Sequence, residues 1–179
     1  IKYGVIADEA YFAEVATALP ELLSAKERNS DRLRSIIVRS IEIKTDVVSR
    51  DERETGLRKI LNFGHTIGHA VELISGYSLL HGETVAIGMA LESTAAERIG
   101  VAQPGTAAEV TRVIELAGLP TTLPSGFELG AVLEAMRSDK KRRSGKTMFS
   151  IPLRIGSMAG SESGWTVSVS DDQLREVLA

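Results

Sequence analysis

Between Gly82 and Arg98 the chain is apolar on almost every side of a helix. Val85, Ala86, Ile87, Met89, Ala90 and Leu91 leave little polar face to turn toward water. A helix of that kind has to be wrapped by other elements. The segment therefore predicts a central, buried helix with the rest of the chain arranged about it, and Gly100 is its C-terminal stop. The 179 residues suffice for one such domain with a real core.

Helical spacing recurs elsewhere. Phe12, Val15, Ala16, Leu19, Leu22 and Leu23 give a helix over residues 9–25, which Pro20 should divide in two. After a polar turn at 26–31, Leu33, Ile36, Ile37, Ser40, Ile41, Lys44 and Val48 predict one long helix from Asp31 to Ser49. The run from Arg50 to Glu54 reads as a solvated charge cluster that ends near Gly56. Residues 57–75 read as a helix containing Gly64 and Gly68 and closed by Gly76. A glycine in a helix interior costs about 1 kcal/mol relative to alanine, so two of them four apart indicate close backbone approach to a ligand or another helix. Shorter helices are placed near 105–117 and 127–138, with Pro120 and Pro124 in the loop between them, and Lys140 to Lys146 form a basic loop. Residues 148–153 and 165–169 alternate like two short strands about the Gly/Ser-rich turn 156–164. Ser170 and Gln173 make a capping box for a last helix through Leu178. The expected fold class is mostly α, a single multi-helical domain over 1–179 with a small C-terminal β-hairpin.

Composition narrows the function. A net charge of −3, from 21 basic and 24 acidic residues, argues against general nucleic-acid binding, which needs a large basic surface. No apolar run reaches the roughly 18 residues that suggest a membrane span. The absence of cysteine excludes disulfides, thiolate chemistry and cysteine-based zinc sites. The opening Ile1-Lys2-Tyr3-Gly4 has no Met and no signal-peptide pattern, and it reads as a cut made inside a longer protein. The G-x-G-x-x-G dinucleotide fingerprint is not found.

The three histidines, His65, His69 and His81, all lie in one short window. His65 and His69 are four apart and share a helix face. Neutral imidazole is the commonest transition-metal ligand, and two such His with a third at a following helix start make a workable zinc constellation. A His pair at this spacing is often purely structural, and that reading stays open beside the metal one. Glu72 and Glu83 are the carboxylates available as a further ligand. Just upstream, Lys44, Arg58 and Asn62 suit a phosphate or carboxylate substrate, with Arg58, Asn62, His65 and His69 expected along one helical stripe. Each of those cations is also an ordinary surface charge by itself, as is the run Asp139-Lys140-Lys141-Arg142-Arg143.

Four segments in order carry a family resemblance. The stretch from Leu57 to Glu72, with Asn62-Phe63-Gly64-His65-Thr66-Ile67-Gly68-His69 inside it, closely resembles the signature of the 3-dehydroquinate synthases. So does His81-Gly82-Glu83-Thr84-Val85-Ala86-Ile87-Gly88-Met89. Ile1-Lys2-Tyr3-Gly4 is similar to the end of that family's Glu-Val-Ile-Lys-Tyr-Gly motif. Asp139-Lys140-Lys141, followed by Gly145 and Lys146, resembles its late Asp-Lys-Lys element. A small departure is Ile67, where Phe is common in the family.

The resemblance implies a two-domain enzyme. An N-terminal α/β domain, absent from this chain, binds NAD+, and this chain is the helical domain that supplies metal and substrate contacts. It implies His65 and His81 as zinc (or cobalt) ligands, with a third ligand, a Glu, two residues before Ile1. His69 then lies by the substrate phosphate rather than on the metal. Lys2, Lys44, Arg58, Asn62 and one of Lys140 and Lys141, the latter favoured, match substrate-binding positions, with Lys2, Lys44 and His69 in catalytic roles. Lys44 and Arg58 would hold the carboxylate, and Asn62 with His69 the phosphate. The implied reaction converts 3-deoxy-D-arabino-heptulosonate 7-phosphate into 3-dehydroquinate plus phosphate, in a cytoplasmic homodimer of the shikimate pathway. The alternatives are a sister sugar phosphate cyclase, of the 2-deoxy-scyllo-inosose or valiolone type, and a metal-dependent glycerol or alcohol dehydrogenase relative. Alone, the chain is expected to be an inactive binding domain.

Overall fold

The apolar segment forms a helix over His81–Arg98, the fifth of eight α-helices among the described residues. The order is α1 (Lys2–Ala7), α2 (Glu9–Leu22), α3 (Asp31–Arg50), a 3₁₀ turn (Leu57–Asn62), α4 (His65–Ile74), α5 (His81–Arg98), α6 (Thr106–Leu116) and α7 (Leu129–Ser138). Then come β1 (Lys146–Phe149), β2 (Pro152–Arg154), β3 (Ser157–Met158), β4 (Val167–Ser170) and α8 (Asp171–Leu178). The structure, a computed structural model, describes residues 1–24, 31–138 and 146–178. The polar turn expected at 26–31 falls largely outside them, as do Lys140 and Lys141. Among the described residues, no helix is long and apolar enough to cross a membrane.

Helix α5 belongs to two cores, which is why it is apolar all round. Val85, Ala86, Met89 and Ala90 face a cluster with Val5, Phe12, Phe63, Val110 and Ile114. Ile87, Ala95 and Ala96 face a second one with Ile67, Val71, Val132, Leu133, Phe149 and Leu174. Helix α4 is the nearest neighbour, and the crossing is made by small residues. A Cβ on Gly68 would stand 2.9 Å from the Thr84 carbonyl oxygen, and one on Gly88 would overlap the Gly64 carbonyl oxygen. The two glycines four apart thus mark helix–helix approach.

The helix expected over 57–75 is broken. It is a 3₁₀ turn followed by α4, with the break at Gly64, whose φ of +80° is left-handed. A side chain there would meet Met89 Cγ at 2.5 Å and the Val85 carbonyl oxygen at 2.8 Å. Packing against α5 therefore excludes the continuous stripe from Arg58 to His69. Pro20 does not divide α2. It lies two residues before the end of the helix, so the backbone bond it cannot donate is among the last of α2 and little helix remains beyond it to be turned aside. Asp51 also departs from expectation. It is no mere solvated charge, because its carboxylate accepts the backbone N–H groups of Thr55, Gly56 and Arg58 at 3.0, 2.8 and 3.0 Å. These donors hold its pKa down to about 2 and build the turn that leads into the 3₁₀ segment.

The C-terminal strand region is antiparallel, as expected, but comprises two ladders, one inside the other. β1 pairs with β4, and β2 with β3 between them. Ser150 Oγ donates to the Lys59 carbonyl at 2.7 Å, turning the chain out of β1 at a fixed place. The capping box before α8 is present, with Ser170 N donating to Gln173 Oε1 and Gln173 N to Ser170 Oγ. Helix α1 has too few residues to show a period in sequence. It is held from the far end of the chain, where Gly156 N donates to the Val5 carbonyl at 2.9 Å.

Candidate functional site

The broken helix determines where the histidines go. His65 and His69 occupy the first two turns of α4, and His81 opens α5. The α4–α5 crossing brings these helix starts together, so the three imidazole centroids lie 5.2, 5.5 and 6.0 Å apart. His65 is half-buried, and His69 and His81 are exposed.

His65 is set up as a neutral donor. Its Nδ1 lies 3.1 Å from the Phe63 carbonyl oxygen. A carbonyl only accepts, so Nδ1 carries the hydrogen and Nε2 keeps its lone pair. Burial, and next the charge of Lys2, bring the His65 pKa down to about 4. The sign of its pH effect follows. Unfolded histidine titrates near pH 6.5, so the His65 contribution to stability is fully present above that pH. It is lost as pH falls from about 6.5 to 4, because the unfolded chain takes up the proton first. The expected result is a metal-free urea midpoint that drops between pH 7.5 and 5 by more than it does in a His65→Ala variant. Equal drops would refute the assignment.

Among the described residues, His69, Glu72 and His81 each offer a ligand atom within 4.8 Å of the others, while the pair that the resemblance implies, His65 and His81, has its ring centroids 5.5 Å apart. Glu72 Oε1 lies 3.4 Å from His81 Nδ1, within reach of the ring. Glu83 is otherwise engaged, since its Oε2 accepts the Leu80 N–H at 2.9 Å. Of the two carboxylates open at the level of spacing, Glu72 is the one that faces the cluster. It also lines, with Thr66, His69, Leu73, Tyr77 and Met136, a groove of about 280 Å³.

Cations stand beside the histidines. Lys2, from α1, donates to the Leu61 carbonyl at 2.9 Å. Burial first, and then the charge of Lys44, lower its pKa to about 8. Lys44 lies on the exposed face of α3, near enough for its charge to be felt at Lys2. Asn62 Nδ2 donates to Glu54 Oε1 at 2.7 Å. Arg58 is half-buried, with Nη1 donating to the Glu52 carbonyl at 2.8 Å. The structure thus brings together the three histidines, with the charge of Lys2 felt at His65, and sets Asn62 and Arg58 on the adjoining 3₁₀ turn.

Glu92 was missed by sequence reasoning. It is fully buried on α5 and accepts the Gly64 and Ile67 N–H groups at 2.7 and 2.9 Å. Burial pushes its carboxyl up to about 8, against those donors and the Lys2 charge. The signal was there in the sequence, because it is the one charged residue between Glu83 and Glu97 in the helix read as buried.

Comparison with known proteins gives one answer. The family model described as 3-dehydroquinate synthase C-terminal matches residues 1–142. The chain is 44% identical over 181 residues to a 3-dehydroquinate synthase of Nostoc punctiforme, covering 99% of this chain and 48% of that protein. It is 40% identical over 179 residues to one of Thermodesulfovibrio yellowstonii, covering 99% and 48%. The chain therefore spans about half the length of the curated relatives it matches. Among solved structures, a 2-deoxy-scyllo-inosose synthase in complex with carbaglucose-6-phosphate, NAD+ and Co2+ aligns with a TM-score of 0.79 at 20% identity, over 96% of this chain and 49% of that one. A 2-epi-5-epi-valiolone synthase from Streptomyces hygroscopicus subsp. jinggangensis, with NAD+ and Zn2+ bound, aligns with a TM-score of 0.77 at 23% identity, over 99% and 47%. At those identities the likeness is one of fold.

Proposed function

The chain belongs to the 3-dehydroquinate synthase family, over its C-terminal domain, and from that premise we propose that it is the metal- and substrate-binding part of a phosphate-eliminating cyclase. The whole enzyme would convert 3-deoxy-D-arabino-heptulosonate 7-phosphate into 3-dehydroquinate. The observation that carries the proposal is the convergence of His65, His69 and His81 beside Lys2 and Lys44, on helix starts that the α4–α5 crossing holds together. An NAD-binding domain would come from the N-terminal half that the relatives carry.

The donor set fits a divalent metal. His65 is neutral with Nε2 available, His81 has a carboxylate at its Nδ1, and imidazole ligands accept zinc or cobalt alike. A bound metal would supply Lewis-acid polarisation of a substrate hydroxyl, and bound NAD+ a reversible hydride acceptor. The chain's own residues do the positioning. Lys44 and Arg58 suit the substrate carboxylate, and Asn62 and His69 the phosphate, with Lys140 or Lys141 joining them. Lys2, with a pKa of about 8, is both an anion-holding charge and a group that exchanges a proton near neutral pH. Most of the rate enhancement asked of this domain is fixed charge and orientation.

The test joins the chain to the N-terminal half and follows phosphate release from 3-deoxy-D-arabino-heptulosonate 7-phosphate with NAD+ and Zn2+. Release that needs NAD+ and is abolished by His65→Ala is expected. Release only from sedoheptulose 7-phosphate would transfer the domain to the sister cyclases, and release from neither would end the cyclase reading.

A further inference from the structure

The substrate and metal roles leave the buried carboxyl of Glu92 without a function. We infer that Glu92 is the positioning residue of the His65 turn: reaching across from α5, its two carboxyl oxygens fix residues 64–67 so that His65 points at the same place as Lys2. The need for such a residue follows from the packing. A helix start exposes backbone N–H donors that normally take a Ser, Thr, Asp or Asn cap. At α4 the cap position is Gly64, which α5 obliges to be glycine, so no local side-chain cap exists. The donors point into the buried α4–α5 interface, where an unsatisfied N–H is costly. Glu92 supplies the cap from another helix, with Oε2 taking Gly64 N and Oε1 taking Ile67 N.

The same turn is held from its other side. Lys2 Nζ donates to the Leu61 carbonyl, and His65 Nδ1 to the Phe63 carbonyl. Segment 61–67 is thus braced between Lys2 on the site side and Glu92 on the core side. The direction of the His65 ring follows from both braces, because its Nδ1 contact is to this segment's own backbone.

The inference rests on the metal reading above only for its metal-binding consequence, and the test separates the two. In the Glu92→Gln variant one acceptor oxygen becomes an NH2 group that must face a backbone N–H. Amide exchange and imidazole ¹H–¹⁵N spectra are recorded on the metal-free 179-residue chain, and Co2+ is titrated by its visible absorption. Three results are expected. The Gly64 and Ile67 amides exchange at least about tenfold faster while α5 stays protected. The His65 imidazole signals move. Co2+ binds roughly 10- to 100-fold more weakly, as for other outer-shell partners. Loosened amides with unchanged His65 signals and Co2+ affinity would overturn the inference, leaving a cap without a positioning role. So would no change at all. If the unsubstituted chain, without the Glu expected before Ile1, binds no Co2+, or binds it equally after His65→Ala, then His65 does not hold Co2+ in this chain. The His65 signals then decide alone, moved in support or unmoved against. Should Glu92→Gln not fold, Glu92→Asp keeps both acceptors on a shorter stem. A folded Asp variant with unshifted His65 signals would likewise overturn the inference.

Discussion

Alanine at position 88 is expected to destabilise the protein by about 3 kcal/mol or more, the upper range for overpacking by a single methyl. The added Cβ would overlap the Gly64 carbonyl oxygen, and would stand 2.8 Å from the Gly64 carbonyl carbon and 2.9 Å from Gly68 N. All three are backbone atoms of the α4 start, so no flexible side chain can swing aside. Relief requires α4 and α5 to separate, which also pulls Gly64 away from Met89 and Ile67 N from Glu92. The helix-propensity gain of roughly 1 kcal/mol from Gly to Ala offsets only part of this. Gly130, in α7, is the control. A Cβ there meets nothing within 4 Å and its φ is not left-handed, so Gly130→Ala should be neutral or slightly stabilising. Urea midpoints of the two variants at constant m-value make the comparison. A Gly88→Ala protein as stable as its parent would mean that α4 and α5 do not cross at this distance.

The second large effect is on metal affinity. His65→Ala and His81→Ala should each weaken Zn2+ binding by more than the roughly 100-fold that loss of an outer-shell partner costs, read by competition with a chromophoric chelator. Glu72→Gln should fall within about 10- to 100-fold, because it removes the partner at His81 Nδ1 and leaves the imidazole. His69→Ala discriminates between the donor sets. If His65 and His81 hold the metal, His69→Ala retains most of the affinity. If His69, Glu72 and His81 hold it, His69→Ala is the damaging change and His65→Ala the mild one. An affinity unmoved by any of the three histidine changes would dismiss the cluster as a metal site.

Much of this arrangement was legible beforehand, and the parts that were not share a cause. Helix α5 and the long α3 could be read because they span enough turns for their spacing to show. The Ser170–Gln173 box could be read because its chemistry is local. The convergence of the histidines could be read because two lie on one helix face and the third opens the next helix. What escaped depends on contacts between distant segments. The break at Gly64 comes from Val85 and Met89 on another helix, and no propensity in residues 57–75 announces it. Glu92 caps a helix whose first residue lies 27 positions upstream, and the two strand ladders are sorted by contacts such as Ser150 to Lys59. Helix α3 shows the converse. The helix itself was read, but its inward face was read wrongly: Ile37, Ile41 and Lys44 are exposed, and the buried residues are Ile43 and Val47.

The bond from Gly156 to Val5 sets a condition on how the molecule is made. Val5 and Ile6 pack against Met158 and its neighbours, so α1 meets part of its support among segments that are made much later. At synthesis rates of roughly 5–20 residues per second, α1 and the lysine at its start wait about ten to thirty seconds for that support. Closing so long a loop is an entropic cost met late. The hold on α1 is therefore completed late, and a chain stalled before the C-terminal ladders carries Lys2 on a helix that lacks part of its support.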